Sequence, residues 1–572
     1  MFDVVIVGGG PSGSTVGSML KKYAPHLKVG IFEREVFPRD HVGESLLPAV
    51  CKVLDEIGCW DKVEAANFPI KIGATYRWGA TDELWDFEFL PGAEFKDVPR
   101  PATFTGVRAQ TAFQVDRSVF DKILLDHSAS LGCEVTEGVR VNEVLKEGDK
   151  VTGLVMSNGE TVTAKHYVDA SGVSGIIRRA FDVPVDYPTN LKNIALWDYW
   201  QDAEWAVSVG AEGTRIVVMS LGYGWLWFIP ISPTRTSVGF VVPTDYYKAS
   251  GLTPEELYRK AISEEPMISK LVENAECENL FSTTTDWSYI ADRLAGENWF
   301  LAGDTCGFAD PILSAGLTLA MMGARQVAYS IIAMENGDHE SQWLRDFYSE
   351  AHRGRIRQHV QFADFWYTSN GQFTDLIENT AVIAQRSGLN LTPDAAFRWL
   401  GTGGFAQEDQ ALPFIGGLAI QAVQVVNQRF TRQKVTWNVA TNNVFKLNLE
   451  GATEAEFPVL FEGKIWPRKA YKRDGKMLPQ YGVFEIVTLL LQKECDILPW
   501  LERVRHFFFS NRLYPNVETG VQNALVTLET MVVDGWVTAE YDPSQPLHPF
   551  ELPEEGQTIH QNNDITFYKA EA

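Results

Sequence analysis

The chain has 572 residues, 45% of them hydrophobic, and a formal net charge of −24. That length exceeds one ordinary core and predicts two or three structural units, while the globular composition excludes extensive disorder. The charge excludes the global basic footprint that a nucleic acid or an anionic membrane surface requires. The first predicted elements lie in DVVIVGGGPSGSTVGSMLKKYAPHLKVGIFE, residues 3–33: a strand, a glycine-rich turn, a helix, a second strand and a terminal acid. Gly8 permits the tight turn, Gly10 lets backbone approach a pyrophosphate, and Gly13 lets the helix pack on the sheet. Pro11 and Ser12 open the helix, whose free N–H groups and positive end favour phosphate. Glu33 is placed to accept from ribose hydroxyls. This order predicts a bound dinucleotide without separating FAD from NAD.

EVFPRDHVGESLLP, residues 35–48, follows at once. Arg39 can neutralise a cofactor phosphate, and Gly43, Glu44 and Ser45 can bring backbone close to the cofactor ring. A solvated charged loop is the competing reading, and Asp40 and His41 are assigned to it. FPIKIGATYRWG predicts a strand with Ile70 and Ile72 on one face and Lys71 on the other, which by alternation fits a solvent-facing lysine. Residues 113–135 predict a helix leading to a strand; Gln114 and Arg117 stand at its start, either touching cofactor or exposed. YVDASG, residues 167–172, predicts a strand running into a glycine turn, or an ordinary strand end.

RIVVMS, WLWFIP and TSVGFVVP predict a sheet between residues 190 and 245. In GWLWFIP, Trp225, Trp227 and Ile229 share one face and Leu226 and Phe228 the other, so both faces are buried; Pro230 ends the strand. Residues 299–328, WFLAGDTCGFADPILSAGLTLAMMGARQVA, predict a short strand ending in Gly303-Asp304, a loop, and a helix rich in small residues. In many FAD proteins a distant Gly-Asp of this kind meets the ribityl and pyrophosphate, which selects FAD.

From about residue 366 the motifs stop. Aromatic-rich amphipathic helices are predicted in LTPDAAFRWLGTGGF and VFEIVTLLLQKECDILPWLERVRHFFF. GTGG, residues 401–404, follows no strand and reads as a helix-ending turn, and the last thirty residues read as irregular. No stretch approaches the ~20 apolar residues of a spanning helix, and Phe414 to Val426 and Val483 to Leu491 read as buried helices. The N-terminus lacks the basic start of a signal peptide. Six cysteines, at 51, 59, 133, 277, 306 and 495, form no CxxC pair. They predict reduced thiols, no metal site and a cytoplasmic location.

Three of these elements in order (the GxGxxG turn, YVDASG and the distant Gly-Asp) resemble the FAD-dependent monooxygenase superfamily over about the first 365 residues. With GESLLP at Gly43–Pro48, WxWxIP at Trp225–Pro230 and FxxPxxSxG at Phe308–Gly316, the chain resembles the flavin-dependent halogenases. WxWxIP discriminates, since ordinary flavin hydroxylases lack it. The resemblance implies oxidation of chloride or bromide by oxygen at reduced FAD, giving hypohalous acid that travels to a distant aromatic substrate. Trp225 and Trp227, with Pro230 and Pro311, would exclude that substrate from the flavin and line the passage. Lys71 would be the catalytic lysine, with Ser314 completing the relay; N-capping of the helix beginning near Gly316 is the equal alternative for Ser314. Backbone N–H groups of Ala315 and Gly316 would hold the halide.

One departure matters: halogenases acting on free tryptophan carry a glutamate where this chain has Leu313. That points to phenols, pyrroles or carrier-bound substrates.

The implied fold is α/β. A Rossmann-like FAD-binding domain of the p-hydroxybenzoate-hydroxylase-like monooxygenase superfamily is interleaved with a mixed β-sheet substrate region. Cofactor segments fall near 1–65, 105–185 and 282–365, the substrate sheet at 66–104 and 186–281, and a mainly helical region at 366–572 would cover the substrate cavity. A single nucleotide fingerprint implies a separate flavin reductase as partner. An aromatic hydroxylase is the alternative enzyme, and a flavin-binding sensor or scaffold the alternative outside catalysis.

Overall fold

The computed structural model describes residues 1–78, 84–89, 99–189, 192–205, 213–285, 288–369, 414–415, 418–419, 437–474, 476–512, 517–548 and 559–562. The chain forms two compact units, one built on Met1–Asp364, the other on Phe365–Phe461 and Ile465–Ile559.

In the first unit a five-stranded sheet runs in the order Trp299–Leu301, Ala164–Asp169, Phe2–Val7, Val29–Phe32, Glu134–Thr136. All neighbours are parallel. Phe2–Val7 and Val29–Phe32 are mostly apolar and buried, as a sheet covered on both faces requires, and Ala164–Asp169 is buried from Tyr167 onward. Their carboxyl ends carry Gly8, Glu33 and Ala170, and the edge strand leads into Gly303, so the predicted cofactor segments converge on one crevice. Gly8 has φ +104°, and a Cβ there would stand 2.3 Å from the Ala170 carbonyl oxygen. No other residue fits that turn.

The second sheet places Asn193–Gln201, Arg235–Pro243, Gly224–Pro230, Gly213–Leu221, Ile70–Arg77 and Leu84–Glu88 side by side. The Gly213–Leu221 and Ile70–Arg77 strands pair in parallel, the others antiparallel. One face, with Leu196, Val217, Met219, Leu226, Phe228, Val238 and Phe240, packs on the helices Pro254–Glu264 and Pro266–Leu271. The opposite face carries Trp197, Ile216, Val218, Trp225, Trp227 and Ile229. The Trp strand is therefore buried on both sides, and it ends at Pro230.

The helix Gly316–Asn336 is long and apolar enough to cross a membrane, which the sequence reading passed over. Its most apolar window is 72% buried within the protein, so it is a core helix.

The second unit has a core of Trp500, Val487, Leu525 and Trp536, set among the helices Gly482–Leu491, Ile497–Asn511 and Val517–Val533. Beside them lie strands that the sequence reading did not anticipate. Val444–Leu447 pairs with Val537–Glu540, and Thr453–Phe461, Lys464–Arg473 and Lys476–Pro479 form a three-stranded sheet. The buried helix expected around Phe414 to Val426 is also corrected: Phe414–Ile415 pairs antiparallel with Leu418–Ala419. LTPDAAFRWLGTGGF lies outside the described residues. The last thirty residues, expected to be irregular, contain one strand among the described residues, Ile559–Asn562, which belongs to the sheet that carries Leu84–Glu88.

Candidate functional site

The crevice at the carboxyl ends of the parallel sheet opens into a cavity of about 730 Å³. Gly8, Gly10, Pro11, Ser12, Glu33, Arg39, Gly43, Glu44, Ser45, Arg117, Gly303 and Asp304 line it. It continues to Trp225, Trp227, Ile229, Pro311, Ser314 and Gly316. Gly13 does not line it: a Cβ there would lie 2.0 Å from the Gly8 carbonyl oxygen, so this glycine serves helix–turn packing. Pro230 and Ala315 are also absent from the lining.

The dinucleotide end fits a pyrophosphate. Gly10 is the residue before the helix Pro11–Tyr23. A Cβ at Gly10 would meet only the Arg39 Nη2 atom, at 3.4 Å. Arg39 is held by Asp121 at 3.3 Å through that same nitrogen, while its Nη1 is buried without a partner. A buried guanidinium nitrogen without an acceptor is costly, and a phosphate oxygen would supply one. Glu33 accepts from the Gly9 N–H at 2.6 Å and from the Glu35 N–H at 2.9 Å. Each carboxylate oxygen keeps a lone pair for a ribose hydroxyl.

Two of the expected cofactor contacts are built differently from the simple reading of an exposed helix start. Gln114 and Arg117 are both buried. Arg117 grips Asp121 through Nε and Nη2 at 2.7 and 2.9 Å. Its Nη1 donates to the carbonyls of Val42 and Gly43 at 2.8 and 3.1 Å. Its main work is to hold the Gly43-Glu44-Ser45 loop against the cavity. Asp40 and His41 are exposed. Burial pushes the Asp304 carboxyl up to about 6, opposed by Arg117.

At the other end Trp225 and Trp227 stand with ring centroids 6.0 Å apart and planes at 52°. The Trp227 indole N–H donates to Ser237 Oγ at 3.1 Å. Across the strand pair Trp227 faces Gly239, where a Cβ would lie 2.1 Å from the indole ring. Gly239 makes the space that Trp227 fills. The sequence reading missed it, although an isolated glycine in a strand is a signal of close approach. Because Trp227 offers bulk rather than a proton or a nucleophile, Trp227→Phe is expected to keep the fold and a reduced but measurable activity. Elimination of activity with the fold intact would assign the indole a direct chemical role.

Lys71 corrects the alternation argument. The parallel register pairs Thr214 with Lys71 but Arg215 with Gly73, so Ile72 is an extra residue, a β-bulge. Beyond the bulge Ala74 pairs with Ile216 and Tyr76 with Val218, both of which line the cavity. Thr214 and Ile216 share a face, so the bulge turns Lys71 onto the cavity side with Ala74 and Tyr76. A regular strand would have sent it the other way. Lys71 is 2% exposed, with Nζ 3.4 Å from Ser314 Oγ and 5.5 Å from the centre of the Phe89 ring.

Ser314 is not the helix cap: Ala315 holds that position, and Ser314 sits in left-handed backbone at φ +58°. A non-glycine residue there is strained, a feature concentrated at functional sites. Tyr76 fixes the turn before it, donating to the Ile312 carbonyl at 3.0 Å. The Leu313 side chain lies outside the described residues.

Burial pushes the Lys71 ammonium down to about 7. The unfolded chain therefore binds more protons than the folded one between about pH 7 and the free lysine value of 10.5. Stability should fall as pH drops through that window. Lys71→Met is expected to remove this slope, by up to ~4 kcal/mol between the ends of the window. Denaturant unfolding of the FAD-free protein at both ends checks it, and equal slopes in both proteins would show a solvated lysine that stays charged in the folded state.

Comparison with known proteins agrees with this architecture. Residues 1–363 match the FAD binding domain family. The chain is 34% identical over 392 residues to the 1H-pyrrole-2-carbonyl peptidyl-carrier-protein chlorinase of Pseudomonas fluorescens, covering 66% of this chain and 86% of that protein. It is 31% identical over 377 residues to the tryptophan 2-halogenase of Chondromyces crocatus, covering 64% and 68%. The crystal structure of CmlS, a flavin-dependent halogenase, superposes with a TM-score of 0.70 at 25% identity over 95% of this chain and 96% of that one. The cofactor is FAD, the co-substrate is chloride or bromide, and the chain belongs to the flavin-dependent halogenases.

Proposed function

We propose that this halogenase oxidises its halide in the cavity beside Trp225 and Trp227 and passes hypohalous acid to Lys71, which directs electrophilic halogenation of a phenol- or pyrrole-like ring. The observation that carries the reading is the bulge-turned, buried Lys71 within reach of Ser314, beside a cavity whose near wall is two indoles. A partly neutral amine in a dry site can hydrogen-bond hypohalous acid and sharpen its electrophilic halogen, or be halogenated itself. Ser314 lines the cavity and hands the acid on. The halide would rest at the amino end of the Gly316–Asn336 helix, on the N–H groups of Ala315 and Gly316. Gly10, Pro11, Ser12, Arg39 and Glu33 would hold the adenosine diphosphate half of FAD; Gly43, Glu44, Ser45 and Asp304 would hold the flavin half.

Reduced FAD would come from a separate reductase, since the chain carries one dinucleotide fingerprint. The relative whose pyrrole is carried on a peptidyl carrier protein supports a carrier-bound substrate. The tryptophan 2-halogenase makes an indole the second candidate. The residue composition fits a cytoplasmic enzyme.

The test is incubation with FAD, NADH, halide and a panel of phenols, pyrroles and indoles, free and tethered to a carrier protein, with and without an added flavin reductase. Halogenated phenol or pyrrole that depends on the reductase is expected. Full turnover with the purified chain and NADH or NADPH alone would remove the reductase, and turnover of free tryptophan alone would remove the phenol–pyrrole assignment.

A further inference from the structure

Between the Gly43-Glu44-Ser45 loop and the Trp strand lies a buried carboxyl. Glu44 is 2% exposed and lines the cavity. Tyr199 donates its hydroxyl to Glu44 Oε1 at 2.9 Å. Ser237, a neighbour that also acts to lower the carboxyl's pKa, accepts from the Trp227 indole at 3.1 Å. The Tyr199 phenol is itself pinned, with the Arg235 guanidinium 4.0 Å above its ring. Arg235 is held by Asp116 at 2.8 Å and Glu278 at 2.9 Å. The carboxyl is thus held by the Asn193–Gln201 strand through Tyr199, which the Arg235–Pro243 strand holds in turn through Arg235, at the wall where flavin loop and indole meet.

We propose that Glu44 is the proton donor for hypohalous acid formation. This rests on the halogenase reading of the cavity. The overall step is FADH2 + O2 + X⁻ + H⁺ → FAD + HOX + H2O. Oxygen gains four electrons, two from the reduced flavin and two from the halide, and one proton is consumed net. That proton comes from the neutral Glu44 carboxyl, which is left as carboxylate and is reprotonated from solvent between turnovers. The hydrogen-bond inventory gives the direction. The Tyr199 hydroxyl donates to Oε1, so the acid's own O–H is carried on Oε2 and turns away from Tyr199. The cavity it lines is the open direction.

Burial keeps Glu44 protonated to about 7, opposed by the Tyr199 and Ser237 hydroxyls and by the Arg117 charge, with the Asp116 charge acting alongside burial. The other charged groups around it are Arg235, over the Tyr199 ring; Asp40, 3.8 Å from Arg235; and Asp304, beside Arg117. Burial also raises the Asp304 carboxyl, to about 6.

The test uses Glu44→Gln, which keeps the size and hydrogen bonding but has no proton to give. Halide-dependent hypohalous acid is collected by a small-molecule trap with reduced FAD supplied, and FAD content is measured in parallel. Trapped acid is expected to fall about 100-fold or more with FAD content retained, and the wild-type decline near neutral pH should disappear. Independently, infrared difference spectra of the oxidised wild-type protein should show a protonated carboxyl band that titrates near neutrality and is absent from Glu44→Gln. A wild-type rate and pH profile in Glu44→Gln would overturn the proposal. So would a Glu44 carboxylate ionised throughout that range, a result readable even if Glu44→Gln does not fold. Failure of the wild-type protein to yield any trapped acid would instead overturn the halogenase reading on which the proposal rests.

Discussion

Lys71→Ala is expected to abolish arene halogenation while reduced flavin is still consumed and hydrogen peroxide or free hypohalous acid is released. The lysine does not line the cavity that holds the dinucleotide-end residues. Its loss should therefore leave FAD binding and reoxidation untouched and remove only the step that follows halide oxidation. A loss at or beyond the 10²–10⁴-fold range typical of one positioned acid–base group is expected, since a polar guide for hypohalous acid vanishes with it. Lys71→Arg should not restore activity, because a guanidinium stays charged near neutrality and is too broad for the space beside Phe89 and Ser314. Product formation, flavin reoxidation and peroxide release measured on one preparation check this. Loss of FAD binding or of folding in Lys71→Ala would mark a structural lysine.

Gly10→Val is expected to give a folded protein that cannot hold FAD. The Gly10 backbone already has the extended conformation that any residue adopts before a helix, at φ −65° and ψ −175°. A Cβ there meets only the Arg39 guanidinium, and at a distance that a small shift relieves. What a branched side chain would fill is the space of the pyrophosphate. An affinity loss of about 100-fold or more, ~2.7 kcal/mol, is expected by FAD titration with far-ultraviolet circular dichroism unchanged. Gly13→Ala supplies the contrast: its methyl would collide with the Gly8 backbone, so its damage should appear as lost stability. Normal FAD affinity in Gly10→Val would remove the cofactor assignment.

These two residues mark how far the sequence can be read. Gly10 was legible because its requirement is local: a strand, a turn and a helix within thirty residues define the pyrophosphate cradle. Lys71 was legible only through its resemblance. Alternation placed it on the wrong face, because one inserted residue in the pairing with Gly213–Leu221 inverts the pattern, and that register depends on a strand 140 residues away. Ser314 left no trace of its left-handed backbone in its residue type, since serine rarely adopts it. Arg117 looked like an exposed helix start because its partners Asp121, Val42 and Gly43 come from its own next turn and from a loop 74 residues earlier. In the second unit the apolar helices dominated the pattern, and the charged strand KIWPRKAYKR, with only Ile465 and Ala470 buried, gave no alternation to detect.

The most direct test of the account is the mass spectrum of an electron-rich phenol or pyrrole after turnover with oxygen, bromide and reduced FAD supplied by a reductase. If the paired indoles keep the ring from the flavin and Lys71 delivers the oxidised halide, the product carries the near one-to-one isotope doublet of bromine and no added oxygen. A product with one added oxygen atom and no bromine would contradict the account.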